Sequence, residues 1–209
     1  MKESYSQYGQ DIILNDRIFK NKKNGFFVDI GAHDGISINN SYFFESELDW
    51  NGICIEPNPL VFEKLKQNRK AKCLNIGILS KSEILEFCKL SGYTEMLSGF
   101  LDFYHPDHKK RIESELKIHG GSKEIIKVQC LPFSKVVELH DVKKIDLLSI
   151  DVEGSEESII RSIDFEQVEI DIIICENNYY ETNIQYFLEE KGYSHIGKIQ
   201  IDDVYKKNN

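Results

Sequence analysis

Long apolar runs are missing from this chain. Ile172-Ile173-Ile174-Cys175 is among the longest, far short of the roughly 18 residues a membrane-spanning helix needs, so no membrane segment is expected. The opening residues, Met1-Lys2-Glu3-Ser4, lack the hydrophobic stretch of a signal peptide, and the expected location is the cytoplasm. Proline is scarce, four in 209 residues, and no Pro/Gly/Ser linker, repeat or low-complexity tract divides the chain. One domain over 1–209 is therefore expected. The five cysteines are odd in number and form no C-x-x-C pair, which excludes a zinc site or a disulfide scaffold. Cys54 and Cys175 lie inside apolar stretches, and the cysteines read as small buried hydrophobes. An excess of base is missing too. With 35 acidic against 26 basic residues the net charge is −9, which argues against a protein that coats nucleic acid through bulk charge. One local basic run remains, His108-Lys109-Lys110-Arg111.

What is present is a scatter of 12 Phe and 10 Tyr from end to end, enough to build a core and to exclude disorder. Short β-rich runs alternate with helix-like segments. Strands are expected at 25–30, 52–56, 72–76, 144–150 and 170–175, and helices at 39–48, 60–69, 155–162 and 181–191. Asn58 is placed to cap the second of these helices, and Pro59 suits its first turn. The tail, 193–205, reads as two short strands joined by a turn. Buried strands alternating with helices predict an α/β fold, a mostly parallel sheet with helices on both faces and an antiparallel C-terminal edge.

Two segments break the rhythm. Residues 1–24 form a helical leader whose Ser6-Gln7-Tyr8-Gly9-Gln10-Asp11 feeds a helix through Phe19. Residues 91–121, between strands near 84–90 and 124–130, are too long for a plain connection and read as a lid or an insertion with its own helix. Both are candidate walls of a binding pocket.

The sharpest local feature is Phe27-Val28-Asp29-Ile30-Gly31-Ala32-His33-Asp34-Gly35, a buried strand running into a glycine-bearing turn. Ligands of open α/β sheets sit outside the carboxyl ends of the strands, at turns of this kind. Gly31 lets the backbone approach a ligand and Gly35 allows a tight exit. The pattern is D-x-G-x-x-x-G, not the G-x-G-x-x-G of dinucleotide binders, and no Gly-Lys-Ser/Thr follows to make a phosphate loop. A carboxylate at the strand end would repel a pyrophosphate but suits the amino group of a methionine-like moiety. Glu56 ends the next strand, 21 residues after Gly35, where a carboxylate accepts hydrogen bonds from ribose hydroxyls.

These residues, with Ile55-Glu56-Pro57 and the run from Ile145-Asp146 through Asp151-Val152-Glu153-Gly154-Ser155-Glu156, resemble the FkbM-type S-adenosylmethionine-dependent methyltransferases. The leader, and Leu97-Ser98-Gly99, Tyr104-His105-Pro106 and His108 in the lid, are similar to that family as well. The resemblance covers roughly residues 6–192. It implies a seven-stranded class I methyltransferase (Rossmann-like) sheet, S-adenosylmethionine as cofactor, and O-methylation of a sugar or other small hydroxyl-bearing metabolite. It also implies a cofactor site made of Asp29, Gly31, Ala32, His33, Gly35, Glu56, Pro57 and Asp151, with Gly77 near the adenine.

Asp151-Val152-Glu153-Gly154 and Glu176-Asn177-Asn178 emerge from two strands at the same sheet edge. Adjacent strands lie about 4.8 Å apart, so the two groups can converge beside the methyl donor. Two readings stay open. In one, Asp151 and Glu153 orient the substrate or take its proton, with His105 or His108 approaching from the lid. In the other, Asp151, Glu176 and Asn177 bind Mg²⁺, a layout similar to the Asp…Asp-Asn set of catechol-type metal-dependent O-methyltransferases. The lid's basic run suggests an anionic acceptor such as a phosphorylated or carboxylated sugar. Nucleic acid is not expected as a partner, because the D/N-P-P-Y of amino-methylating enzymes is missing from Asp151-Val152-Glu153-Gly154 and from Asn177-Asn178-Tyr179-Tyr180. The alternatives are an N-methyltransferase or a cofactor-binding module without turnover.

Overall fold

A computed structural model describes residues 3–180 and 182–208. Met1, Lys2, Glu181 and Asn209 lie outside the described residues, including the start of the opening segment and the expected first residue of the last helix.

The main sheet is built from β1 (Phe26–Ile30), β2 (Asn51–Ile55), β3 (Lys72–Leu74), β8 (Lys144–Ile150), β9 (Glu169–Glu176), β10 (Tyr193–Ile199) and β11 (Asp202–Lys207). The strand order is β10-β11-β9-β8-β1-β2-β3, seven strands in all. β9, β8, β1, β2 and β3 run parallel. β11 joins β9 antiparallel, and β10 pairs antiparallel with β11 through an irregularity between His195 and Gly197. The order reverses beside β1, which puts a switch point, and hence a crevice, at the carboxyl ends of β1 and β8.

Alternation along the strands sorts the core into two layers. Phe27, Cys54, Leu147, Ile172 and Ile174 face α1 (Gln10–Leu14), α2 (Tyr42–Leu48) and α3 (Pro59–Asn68) through Leu14, Phe43, Phe44 and Leu65. Val28, Ile30, Ile53, Ile55 and Ile173 face the other way. They meet Phe133, Val136, Ile159, Ile160 and Leu188 of α5 (Phe133–Leu139), α6 (Glu156–Arg161) and α7 (Asn183–Glu190). All five cysteines are free thiols, and four are fully buried; Cys73 is half-buried.

Asn58 does cap α3, accepting from the Leu60 amide at 3.2 Å with Pro59 in the first turn. α2 starts three residues later than expected. The Asn39 Oδ1 accepts the Ser41 and Tyr42 amides at 3.0 and 2.8 Å, a local turn that competes with helix.

The expected strand at 72–76 stops at Leu74. Asn75 turns its amide to the Glu56 and Pro57 carbonyls, and the chain leaves for a second sheet. That sheet holds β4 (Gly77–Leu79), β5 (Glu83–Leu90), β6 (Gly99–Phe100) and β7 (Lys123–Pro132) in the order β4-β7-β5-β6. The insertion does carry its own helix, α4 (Pro106–His119). Two small cores belong to it, one around Leu79, Phe87 and Phe100 and one around Leu90, Leu97, Tyr104 and Ile112. Among the described residues no helix is long and apolar enough to cross a membrane.

Candidate functional site

A cavity of about 250 Å³ opens at the carboxyl ends of β1 and β8. Its floor is the turn after β1. Gly31 has φ +87°, and a Cβ there would lie 1.7 Å from the Asp151 carbonyl oxygen. Only glycine lets the tips of β1 and β8 come this close. Three non-glycine residues lining the same cavity, His33, Ile38 and Glu153, hold left-handed backbone with φ of 50°, 52° and 61°. Such conformations persist only where the surroundings impose them, and they gather at functional sites.

Glu56 sits at one end of the cavity. Its carboxyl accepts the His33 amide at 3.1 Å and the Asn58 amide at 2.7 Å. Burial outweighs those bonds and pushes its pKa up to about 7. Pro57 and Gly77 line the cavity beside it, together with Ile78, Phe87 and Phe100 of the second sheet. The lid supplies Met96, Leu97 and Arg111, and the leader supplies Gln7 and Tyr8, so both segments are walls, as their length and position suggest. The leader is anchored by Gln10, whose amide donates to Asp202 at 2.5 Å. Glu95 of the lid lies 3.0 Å from the Lys64 ammonium and 3.3 Å from the His33 imidazole, tying the lid to α3 and the turn.

Asp29, Ala32 and Gly35 do not reach the cavity, contrary to expectation. Asp29 is buried beneath the turn, accepting from Asn39 at 2.8 Å and Ser41 at 2.6 Å. Its position within β1 sends it to the α1–α3 face, away from the crevice. Ala32 is packed in the core on that face. Gly35, at φ +84°, lies against the Arg69 and Leu65 side chains. The three shape the turn from below.

Arg69 is their organiser, and sequence reasoning missed it. Fully buried, it donates to Glu45 at 3.1 Å, to the Gly35 carbonyl at 3.1 Å, to Asn39 at 3.2 Å and to Ser41 at 3.0 Å. It also lies over the Phe27 ring, 5.0 Å from its centre. Removing one partner of a buried pair leaves a charge uncompensated, so Arg69 locks the turn. The available signal was indirect, since Asp29 and Glu45 on core-facing positions demand a cation.

At the other end, oxygens of Asp151, Glu153 and Glu176 all lie within 4.8 Å of one another. Burial raises all three pKa values well above the ordinary carboxylate range, and mutual repulsion adds to it. Glu156, also raised by burial, is engaged by the Val152 and Gly154 amides, each at 3.1 Å. Among the described residues the Glu153 Oε2 and the Ser155 hydroxyl have no hydrogen-bond partner. Both residues line the cavity.

Asn177 is not part of this cluster. Its amide donates to Asp203 at 2.7 Å, and its backbone N–H donates to the Ile201 carbonyl. Glu176 and Asn178 line the cavity instead. The Asp151–Glu176–Asn177 set expected for Mg²⁺ is therefore not assembled.

Neither lid histidine enters the cavity. His105 caps α4, accepting the Asp107 amide at 3.2 Å, and stacks on Tyr179 at 3.9 Å between ring centres. His108 is buried behind Glu153. Its Nε2 lies 3.1 Å from the Leu97 carbonyl. A carbonyl only accepts, so Nε2 carries the hydrogen and Nδ1 is left facing the Glu153 Oε2 at 3.3 Å. Burial lowers the His108 pKa. Of the basic run, only Arg111 lines the cavity, and its guanidinium is paired with Glu115 at 2.9 Å. Lys110 pairs with Asp107 on the surface.

The family model of the methyltransferase FkbM domain matches residues 29–195. The chain belongs to the FkbM methyltransferase family. A solved FkbM methyltransferase from Methylobacillus flagellatus shares the fold at a TM-score of 0.50 and 13% identity, over 89% of this chain and 44% of that one. The present chain thus spans less than half the length of that FkbM neighbour. A TehB-like SAM-dependent methyltransferase from Corynebacterium glutamicum aligns at 0.48 and 9% identity, over 97% of this chain and 89% of that one. A precorrin-6y C5,15-methyltransferase from Geobacter metallireducens aligns at 0.46 and 14%, over 97% and 88%. No curated protein matches this FkbM chain in sequence.

Proposed function

We propose that the chain is an S-adenosylmethionine-dependent O-methyltransferase acting on a small hydroxyl-bearing molecule, a sugar or related polyol. One observation carries the reading: the Gly31 turn, Glu56 and the Asp151–Glu153–Glu176 carboxyls meet around a single cavity at the strand carboxyl ends. When bound, S-adenosylmethionine supplies a methyl group activated by a sulfonium.

Glu56, fixed by two backbone amides, keeps lone pairs free for ribose hydroxyls. Gly31 and His33 line the cavity where the amino-acid portion would lie, their amides committed to the Ile55 carbonyl and to Glu56. Ile78, Phe87 and Phe100, beside Gly77, offer the apolar wall an adenine needs. A neutral hydroxyl is a weak nucleophile, so a base must take its proton. Glu153 is placed to act as that base. It lines the cavity, and burial raises its pKa well above the usual carboxylate range, which strengthens it as a proton acceptor once ionised. His108 backs it, with an unprotonated Nδ1 3.3 Å from Oε2 that can accept from the carboxyl once Glu153 has taken the proton. Carboxyls outnumber the one arginine in the cavity wall, which favours a neutral polyol over an anionic acceptor.

Calorimetry with S-adenosylmethionine, S-adenosylhomocysteine and NAD side by side tests the cofactor. Both adenosyl ligands should bind and NAD should not; the reverse order of affinities would sink the reading. Glu56→Gln should weaken cofactor binding by about 1–3 kcal/mol, the scale of hydrogen bonds to a charged group. Because ribose hydroxyls donate to the ionised carboxyl, wild-type affinity should rise with pH through about 7, and the variant should lose that component.

A divalent cation is the competing use of the carboxyl cluster. In the present reading the carboxyls themselves handle the proton, so a labelled-methyl transfer screen over sugars and small alcohols should give the same turnover with and without EDTA. Activity that stops on chelation and returns with Mg²⁺ would replace this route by a metal-assisted one.

A further inference from the structure

A second cavity, of about 140 Å³, opens between the lid, the turn after β8 and the loop after β9. Glu153, Glu176 and Asn178 line both this cavity and the larger one at the tips of β1 and β8. The same three residues therefore stand between the two. We infer that the second cavity is the acceptor subsite and takes a single neutral sugar ring laid against Tyr179. The inference rests on the methyl-transfer reading and adds the acceptor's place to it.

Methyl transfer is an in-line displacement, so the acceptor oxygen must reach the carbon from the side opposite sulfur. Donor and acceptor then need two compartments that meet at one point, and two cavities with a shared wall supply them. A ring hydroxyl directed at that wall meets Glu153, which takes its proton as the oxygen–carbon bond forms and the carbon–sulfur bond breaks with its electron pair left on sulfur. Gly154 brings the lid down on this place. Its φ is +126°, and a Cβ there would lie 2.5 Å from the Phe103 carbonyl oxygen. Any side chain would push Phe103, and His105 two residues on, away from the turn.

The second cavity differs from the first in carrying an aromatic platform. His105 of the lid and Tyr179 of the loop after β9 both line it, stacked with ring centres 3.9 Å apart and planes 25° from parallel. His105 is fixed in turn by the Asp107 amide at 3.2 Å, so the platform is ordered before a ligand arrives, which lowers the cost of binding. Tyr179 is nevertheless 38% exposed, a large ring left open to solvent at the edge of a cavity. Much of the remaining wall is oxygen. Glu156 is engaged by the Val152 and Gly154 amides and Glu157 by Arg161 at 2.8 Å, and among the described residues no lysine or arginine lines the cavity. A sugar ring has the matching two-sided character. The hydrogens of its C–H face meet the negative face of an aromatic ring, and its hydroxyls donate to carboxylate and amide oxygens. A phosphate or carboxylate on the ring would instead face like charge, with no cation in the wall to offset it.

Saturation-transfer NMR on the intact chain, with a panel of neutral methyl hexopyranosides and their 6-phosphates, reads acceptor binding without the donor. At least one neutral pyranoside should bind, with the strongest transfer to the C–H protons of one ring face. Its 6-phosphate should bind about tenfold more weakly or worse. Tyr179→Ala should weaken binding of the neutral ring by about tenfold or more, the scale of one well-packed aromatic contact, and Tyr179→Phe should restore it. His105→Asn keeps a capping side chain at the start of α4 and removes the ring beneath Tyr179, so it should also weaken binding. All three variants should bind S-adenosylmethionine as the wild type does in calorimetry, and Tyr179→Ala should raise the acceptor KM with kcat nearly unchanged. A wild type that binds no pyranoside, equal binding by Tyr179→Ala, or a preference for the phosphate esters would each overturn the inference with the cofactor assignment intact. Failure of the wild type to bind S-adenosylmethionine would overturn the methyl-transfer reading itself, whatever the sugars do.

Discussion

Glu153→Gln should bind S-adenosylmethionine and turn over about 10²–10⁴ times more slowly than the wild type, the range for a lost acid/base group. The substitution is isosteric and keeps the side chain in its cavity-facing position; it removes only the ability to take a proton. The pH profile separates this role from a packing role. A base works ionised, and burial, with Asp151 and Glu156 nearby, holds Glu153 well above its ordinary value. Wild-type kcat/KM should therefore climb with pH along a limb that lies above the usual carboxylate range of about 4.3. The variant should lack that limb. Wild-type activity that stays flat down to about pH 5 would take Glu153 out of the chemistry, and Asp151, in the same wall, would be next in line.

Gly31→Val should damage the fold and the site together. The new Cβ would overlap the Asp151 carbonyl oxygen, whose distance from it would be 1.7 Å. The backbone there, at φ +87°, is one that a β-branched residue strongly resists. Left-handed strain and overpacking together cost about 2–5 kcal/mol. For a chain of this size that is a fall of roughly 5–20 °C in Tm. Relief requires β1 and β8 to separate at their tips, which opens the floor of the cavity, so cofactor binding should be lost even in the fraction that stays folded. Differential scanning calorimetry and a binding titration on the same sample check both halves. A variant with wild-type Tm and affinity would mean that the tips move apart freely.

Legibility from sequence followed the range of the interactions. The Gly31 turn and Glu56 could be read because each sits within a few residues of its strand, and buried apolar strands such as Ile53-Cys54-Ile55, alternating with helices, announced a sheet covered on both faces. The Asn58–Pro59 helix start is a signal of two adjacent residues. Asp29 misled because an acid at a strand end looks the same whether it faces a ligand or a buried arginine; its network runs through Arg69, forty positions away. The second sheet was hidden because β4 is three residues long and follows β3 almost at once, so nothing local says that it changes partner. Asn177 was misplaced because its amide is taken by Asp203 of β11, a partner that no local signal announces.

The second sheet carries the lid and also the apolar wall beside Gly77; it joins the main-sheet core through Ile78 and Leu131, while the residues of β5, β6 and the lid form two small cores of their own. Units of this kind open on their own free-energy scale, below that of the whole molecule. On the proposed reading, a donor bound between the two sheets would cross-link them and stabilise the closed form by mass action. Amide hydrogen exchange in β5 and β7 is thereby a gauge of donor occupancy. Slow, ligand-protected exchange there marks a loaded enzyme, and fast exchange marks one whose lid module is breathing free of a main sheet that stays intact.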